Sequence, residues 1–470
     1  MDEKELDRSI DSYLDQHWED IVSDIDTLVQ VESVEGSSLG LEKSPFGKGP
    51  REALDKGLEI ADRLGMQTDD MDGYIGVADI PGESPRQLAI IGHTDVVEAG
   101  SGWTFEPYKV TRKDGYLIGR GTADDKGPLV VAMHAASFWA SLNDKRPYTL
   151  RILLGANEET HMGDVEHYLA NTEPPAFLIT PDAEFPVCYG EKGIANFVVR
   201  SKKIENHRLV SINGGSAVNA VPGFAEATLY AAIDTLNPAP GIGICKEGCA
   251  SCGLVGVEAA GTSAHASTPE LGDSAITRLI GYLLTENLCS DEEREFLELV
   301  FLGAYNTDGS GYGLACSDEN FGPLTMNVGK IWEETGSLCA AIDVRYPTTT
   351  DPDILLRVLK GGFAHIGATV EMTMNRDPFL LDPNSPEVKT LIDVYNSVTG
   401  EDAKPFTTGG GTYARMFPKA VSFGPARKDE VTPEWLGSMH GPDEGMSEDL
   451  LKQEFKIYVK AIDALMGLDL

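Results

Sequence analysis

Four short polar clusters follow directly on apolar runs: Gly92-His93-Thr94-Asp95, Gly121-Thr122-Ala123-Asp124-Asp125-Lys126-Gly127, Asn157-Glu158-Glu159-Thr160 and Pro181-Asp182-Ala183-Glu184. A fifth, Met439-His440-Gly441-Pro442, stands near the other end of the chain. Taken singly each has an ordinary explanation, a satisfied core histidine or an Asp capping a helix. Taken together they place imidazoles and carboxylates where open α/β sheets gather ligands, just past the carboxyl ends of strands. Carboxylates packed into one crevice are costly to desolvate unless cations compensate them. Mixed imidazole and carboxylate donors suit zinc or a similar divalent ion.

Other chemistries find less support in the same residues. No G-x-S-x-G elbow is present, and Gly261-Thr-Ser-Ala-His265 has the wrong form for a serine hydrolase. Gly409-Gly410-Gly411-Thr412 lacks the lysine of a phosphate-binding loop, which removes phosphoryl transfer. Glu158-x-x-His161 has di-iron spacing but follows the apolar run LRILL instead of sitting among bundle helices. Cys245, Cys249 and Cys252 imitate a zinc knuckle without a fourth ligand nearby, and ordinary loop thiols are the favoured reading.

The elements that must position these residues are legible in outline. Ile10, Leu14, Trp18, Ile21, Ile25 and Leu28 recur three or four apart and predict an amphipathic N-terminal helix. Short apolar runs follow (YIGVADI, QLAIIGH, YLIGRG, TLRILLGANEE, AFLITPDAEF), with helical stretches between several of them, as over 128–142 and 163–170. That alternation predicts an α/β sheet covered by helices. From about residue 191 alternating strands (ANFVVRSKK, AEATLYAAID, GLVGVEAAG, CAAIDVRYP) predict a second, α+β domain. A helix over 386–399, a Gly-rich loop, an AVSFGP strand and a terminal helix complete the chain.

Composition narrows the classes. The chain has 470 residues, with apolar and charged fractions of 41% and 24%, ordinary globular usage that excludes a disordered or low-complexity chain. Against 38 Lys and Arg stand 75 Asp and Glu, a net charge of −37. Such a field repels phosphate backbones and anionic lipid, so neither nucleic acid nor membrane is an expected partner. The beginning MDEKELDRSIDSYLDQ is acidic and polar where an export signal is basic and then apolar, and seven cysteines is an odd number. Reduced thiols and a cytoplasmic location are expected. Most of the acid surplus reads as a solvated surface.

The order H-T-D, G-T-A-D-D-K-G, N-E-E-T, P-D-A-E and M-H resembles the dinuclear-zinc peptidase family of aminoacylases, desuccinylases, glutamate carboxypeptidase and dipeptidases. Within it, P-F-G-K-G-P (45–50), P-D-A-E-F-P, A-H-A-S, V-R-Y-P and G-G-G-T-Y-A-R are most similar to PepV-type dipeptidases. The resemblance implies a discontinuous catalytic domain (1–190 and 379–470) with a helix-covered mixed β-sheet, and an inserted α+β lid (191–378). It implies two zinc ions per chain, with cobalt or manganese as substitutes. His93, Asp124 and Asp182 would hold one ion and Asp124, Glu159 and His440 the other. Asp95 would orient His93, and the peptide after Asp124 would be cis. Glu158 would activate a metal-bridging hydroxide. His265 would steady the oxyanion, while Asn219 and Arg345 would grip the substrate carboxylate beside Gly410, Gly411 and Thr412. The expected activity is hydrolysis of dipeptides, Xaa-His peptides such as carnosine among them, by a monomer. The alternatives are an amidohydrolase of the same family acting on N-acyl or N-succinyl amino acids, and, more remotely, a non-enzymatic acidic protein that binds metal or peptide. The stretch from Asn237 to Cys252 has no counterpart in that pattern.

Overall fold

The computed structural model describes residues 3–39, 42–143, 146–247, 253–428 and 430–470. The chain divides into two compact units, one of Met1–Tyr189, Leu380–Phe406 and Thr412–Leu470, the other of Gly190–Phe379 and Thr407–Gly411.

The first unit is built on a mixed sheet. Its strands lie in the order Gln67–Met71, Ile75–Ile80, Tyr148–Gly155, Ser84–His93, Phe177–Thr180, Ala420–Ser422 and Cys188–Glu191. The four from Tyr148–Gly155 to Ala420–Ser422 are parallel, with antiparallel pairs on either side. Parallel strands buried on both faces read as unbroken apolar runs, as LAII, ILL and FLIT do here. Their common direction delivers His93, Gly155 and Thr180 to one edge, with His93 opposite Gly155 in register. Helix Lys126–Leu142 packs on strand Ser84–His93 and against helices Glu3–Val29 and Glu448–Met466. Enclosed in this way, it is buried around nearly its whole circumference, Leu129 to Met133 included.

The second unit carries an antiparallel sheet in the order Ile242–Glu247, Leu254–Ala260, Phe224–Tyr230, Leu209–Gly214, Thr325–Glu334, Ser337–Tyr346, Gly193–Arg200 and Thr369–Arg376. Strand Phe224–Tyr230 alternates exposed and buried residues, the pattern of a sheet with one face on a core and one in water. Helices Ala275–Thr285, Asp291–Tyr305 and Pro352–Ala364 contribute to the buried side through Leu279, Phe296 and Phe363. Ser290 and Glu293 close a reciprocal capping box at the start of Asp291–Tyr305.

The structure adds to the expected elements. YLIGRG is a strand only over Tyr116–Ile118, after which the backbone turns away. The Asn237–Cys252 stretch contributes the edge strand Ile242–Glu247. Cys249 and Cys252 lie outside the described residues, and Cys245 Sγ is 3.8 Å from the Gly256 carbonyl. Among the described residues no helix is long and apolar enough to cross a membrane.

Candidate metal centre

The edge of the parallel strands in the first unit carries the site. His93 ends strand Ser84–His93, fully buried. Its Nε2 is 3.0 Å from Asp124 Oδ1 and 3.8 Å from Asp182 Oδ2. His440 arrives from the last third of the chain, and its Nε2 is 2.9 Å from Asp124 Oδ2 and 3.1 Å from Glu159 Oε2. Asp124 therefore stands between two imidazoles and offers one oxygen to each. The donor atoms of His93, Asp124 and Glu159 lie within 4.8 Å of one another, as do those of His93, Glu158 and Asp182.

Asp95 has two tasks. Its main-chain carbonyl is 3.0 Å from His93 Nδ1, while its carboxylate oxygen is 3.5 Å from that nitrogen. The carboxylate accepts instead from the N–H groups of Glu158 (3.2 Å) and Glu159 (3.1 Å), fixing the turn that carries both glutamates. The Asp124–Asp125 peptide is cis. Asp125 Oδ2 accepts from the His93 N–H at 3.2 Å.

The electrostatics express crowding. Burial, and then the charge of Asp124, push the Asp182 carboxyl up to about 7. Burial and then Asp182 raise Glu158 well above the carboxylate range. Burial opposes charge on His440, but its bonds to Asp124 and Glu159 prevail and lift the imidazole to about 11. Carboxylates this close raise one another's proton affinity, and a divalent cation held among them would relieve that crowding. Glu159 Oε1 is buried with no hydrogen-bond partner. Two imidazoles, clustered carboxylates and an orphaned carboxylate oxygen form a donor set that fits divalent zinc-type ions.

Two residues that the sequence did not single out shape the same edge. Asp164 Oδ2 accepts from Ala156 N–H (2.7 Å) and Asn157 N–H (3.0 Å), and the buried Tyr413 hydroxyl donates to the same oxygen. The only local signal for Asp164 is an acid in the first turn of helix Gly163–Asn171. Thr412 lies in this unit too, where its hydroxyl accepts from Ala414 N–H and is 2.9 Å from Ser422 Oγ.

The remaining residues named from the sequence lie in the second unit. Asn219 and His265 are brought side by side by a short antiparallel bridge, with Ala266 N–H donating to Asn219 O at 2.9 Å and Val221 N–H to Ala264 O at 2.8 Å. Ser267 N–H donates to His265 Nδ1 at 3.2 Å, and Ser267 Oγ is 2.6 Å from the same nitrogen. A backbone N–H can only donate, so neutral His265 carries its proton on Nε2. Arg345 is 4% exposed and forks onto Asp343, with Nε to Oδ1 at 2.6 Å and Nη2 to Oδ2 at 3.1 Å. Its Nη1 donates to Gly409 O at 2.9 Å and so holds the loop of Gly410 and Gly411.

A parallel-centred sheet with two imidazoles and a carboxylate cluster at its carboxyl edge has the donor types of a site that could hold divalent ions for hydrolytic chemistry. Residues 89–464 match the model of peptidase family M20/M25/M40, and the chain belongs to that family. It is 30% identical over 460 residues to a protein of Staphylococcus haemolyticus named "Putative dipeptidase SH1171", covering 95% of this chain and 97% of that one. Human carnosine dipeptidase 1 shares the fold with a TM-score of 0.59 at 14% identity, covering 98% of this chain and 100% of that one. The di-peptidase Dug1p of Saccharomyces cerevisiae does so with 0.60 at 12%, covering 98% and 99%.

Proposed function

We propose that the protein is a dipeptidase whose site holds two divalent metal ions, zinc by donor chemistry, sharing Asp124. The observation that carries this reading is the pair of oxygens on Asp124, one 3.0 Å from His93 Nε2 and the other 2.9 Å from His440 Nε2. His93 and Asp182 complete one set of ligands, and Glu159 and His440 the other. Bound there, such ions polarise a carbonyl and raise the acidity of a water.

The chain's own residues then have separable roles. Glu158 takes a proton from the attacking water and delivers it to the leaving amine, one carboxylate acting as base and then as acid. Burial, and then the charge of Asp182, raise its proton affinity. Asp95 keeps Glu158 and Glu159 in register by accepting both their N–H groups. In the second unit, the Nε2 proton of His265 serves charge developing on the substrate oxygen. Asn219 and Arg345, with Gly410, Gly411 and Thr412, serve the substrate's carboxylate end. The relative named for dipeptide cleavage supports peptide substrates, and the carnosine dipeptidase fold makes Xaa-His peptides the first to try.

The test joins metal content to substrate choice. The purified protein, before and after exhaustive chelation, is assayed on dipeptides (carnosine included) and on N-acetyl and N-succinyl amino acids. Dipeptide hydrolysis that chelation abolishes and Zn2+ restores is expected. Full activity in chelator overturns the metal assignment, and cleavage confined to N-acyl amino acids overturns the substrate class.

A further inference from the structure

Arg120 and Glu444 form an ion pair that is almost wholly withdrawn from water, at 1% and 0% exposure. Neither is a candidate metal ligand, yet each is tied to a loop that carries one. Glu444 Oε2 accepts from Arg120 Nη1. Glu444 Oε1 accepts from the N–H groups of Gly121 (2.9 Å), Ala123 (3.2 Å) and Asp124 (3.3 Å), the loop that ends in the shared aspartate. Arg120 Nη2 donates to the His440 carbonyl at 3.1 Å and the Glu98 carbonyl at 3.3 Å. Trp103 covers the guanidinium, its ring centre 5.3 Å away.

The backbone needs such support. His440 has φ 64 and Gly121 φ 91, both in the left-handed region, which an imidazole-bearing residue enters at a cost. Gly119 N–H donates to the Glu444 carbonyl at 2.9 Å, and Thr104 and Phe105 N–H to Asp443 Oδ1, but of the bonds on this turn the one to the His440 carbonyl comes from Arg120. A buried pair is weak evidence of stabilisation as such, since desolvation cancels much of the attraction. What this pair supplies is geometry, because a planar fork and a two-oxygen acceptor reach two loops at once where a point charge reaches one.

We propose that Arg120 and Glu444 are positioning residues that clamp the Asp124 loop to the His440 loop and so set the affinity of the centre for divalent metal. The proposal rests on the reading of Asp124 and His440 as ligands. Partners that orient ligands from behind are worth about 10- to 100-fold in metal affinity.

The test titrates metal-free protein with Zn2+ against a chromophoric chelator and records the visible spectrum of the Co2+ form, with the melting temperature of each metal-free variant alongside. Arg120→Lys keeps the charge but cannot span Glu444 and the His440 carbonyl together, and Glu444→Gln keeps the shape but weakens the fork. Each is expected to bind Zn2+ about 10- to 100-fold more weakly and to show a shifted Co2+ spectrum. The double variant Arg120→Met with Glu444→Leu leaves no charge buried alone and guards against a single variant that does not fold; the same loss is expected of it. Asp24→Asn, in helix Glu3–Val29 and remote in sequence from both loops, is the control for destabilisation, with a lower melting temperature and unchanged Zn2+ affinity. Zn2+ affinity within about threefold of the parent in the folded Arg120 and Glu444 variants overturns the clamp while leaving the metal reading intact. A parent protein that binds neither Zn2+ nor Co2+ overturns both.

Discussion

The two units place their chemistry by different means. In the first, four parallel strands deliver their carboxyl ends to one edge, so residues far apart in sequence (His93, Glu159, Asp182) meet in a crevice withdrawn from water. In the second, antiparallel strands send their ends to alternate edges, and Asn219 and His265 meet only because a short bridge joins their loops. Asn219 and His265 are exposed, whereas in the first unit His93 and Asp124 are buried and only His440, with 47% of its side chain exposed, reaches the surface. A parallel sheet can hold a centre that needs desolvation and fixed ligands, while loops on an antiparallel sheet suit groups that must meet a substrate.

The largest expected effect falls in the first unit. Glu158→Gln should lower kcat by about 10^2- to 10^4-fold, because a general base and acid is lost while ligand geometry persists. Zinc content should remain that of the parent, and replacing one of several crowded carboxylates should leave the melting temperature equal or higher. Retained activity in Glu158→Gln would sink the assignment of base and, with it, the contrast between a buried reacting edge and an exposed assisting one.

A smaller effect is expected from the second unit. His265→Ala should cost about 10^2- to 10^3-fold in kcat, the range for losing one donor to a developing oxyanion. Zinc content, measured by elemental analysis, should not change. Ser267→Ala removes the hydroxyl 2.6 Å from Nδ1 but leaves the backbone N–H that fixes the tautomer, so its loss should be roughly tenfold, about the net worth of one hydrogen bond. If His265→Ala emptied the metal centre instead, the division of labour between the units would be wrong.

How much of this was legible in the sequence follows from the same contrast. His93, Glu159 and Asp182 were visible because each follows an apolar run after which polarity changes abruptly, as a parallel strand buried on both faces reads, whereas Asp124 follows the short antiparallel strand Tyr116–Ile118 at a distance and stood out by its polar cluster. His440 stands on no such run and needed the order of motifs as a whole. Arg120 and Glu444 stayed hidden, since a charge in a loop looks the same whether it ends in water or in a buried clamp. The fork of Arg345 onto Asp343 was hidden for a related reason. Residues two apart on a strand face the same side, but their pairing depends on the burial of strand Ser337–Tyr346, which its sequence does not announce. Strand Ile242–Glu247 lay in a stretch whose Gly, Pro and Cys content suggests a loop, and pairing with Leu254–Ala260 overrides that composition.

The smallest expected effect concerns ion pairs remote from either set of site residues. In the first unit Asp24 is 6% exposed, 2.8 Å from His134 Nε2, and also bonded to Arg63. Burial opposes its charge, but these two partners prevail and hold its carboxyl below the usual range. A folded value below the unfolded one means stability that is present above about pH 4 and lost as pH falls through the folded value. Asp24→Asn should therefore destabilise the protein by about 1–3 kcal/mol at neutral pH, through the buried partner it leaves behind, and should flatten the acid limb of the melting-temperature profile. In the second unit Arg200 and Glu334 are paired with side chains 38% and 51% exposed. Solvent screens such a pair, so Glu334→Gln should leave the profile unchanged. Equal acid dependence in both variants would show that burial does not separate the two units in the way their sites suggest.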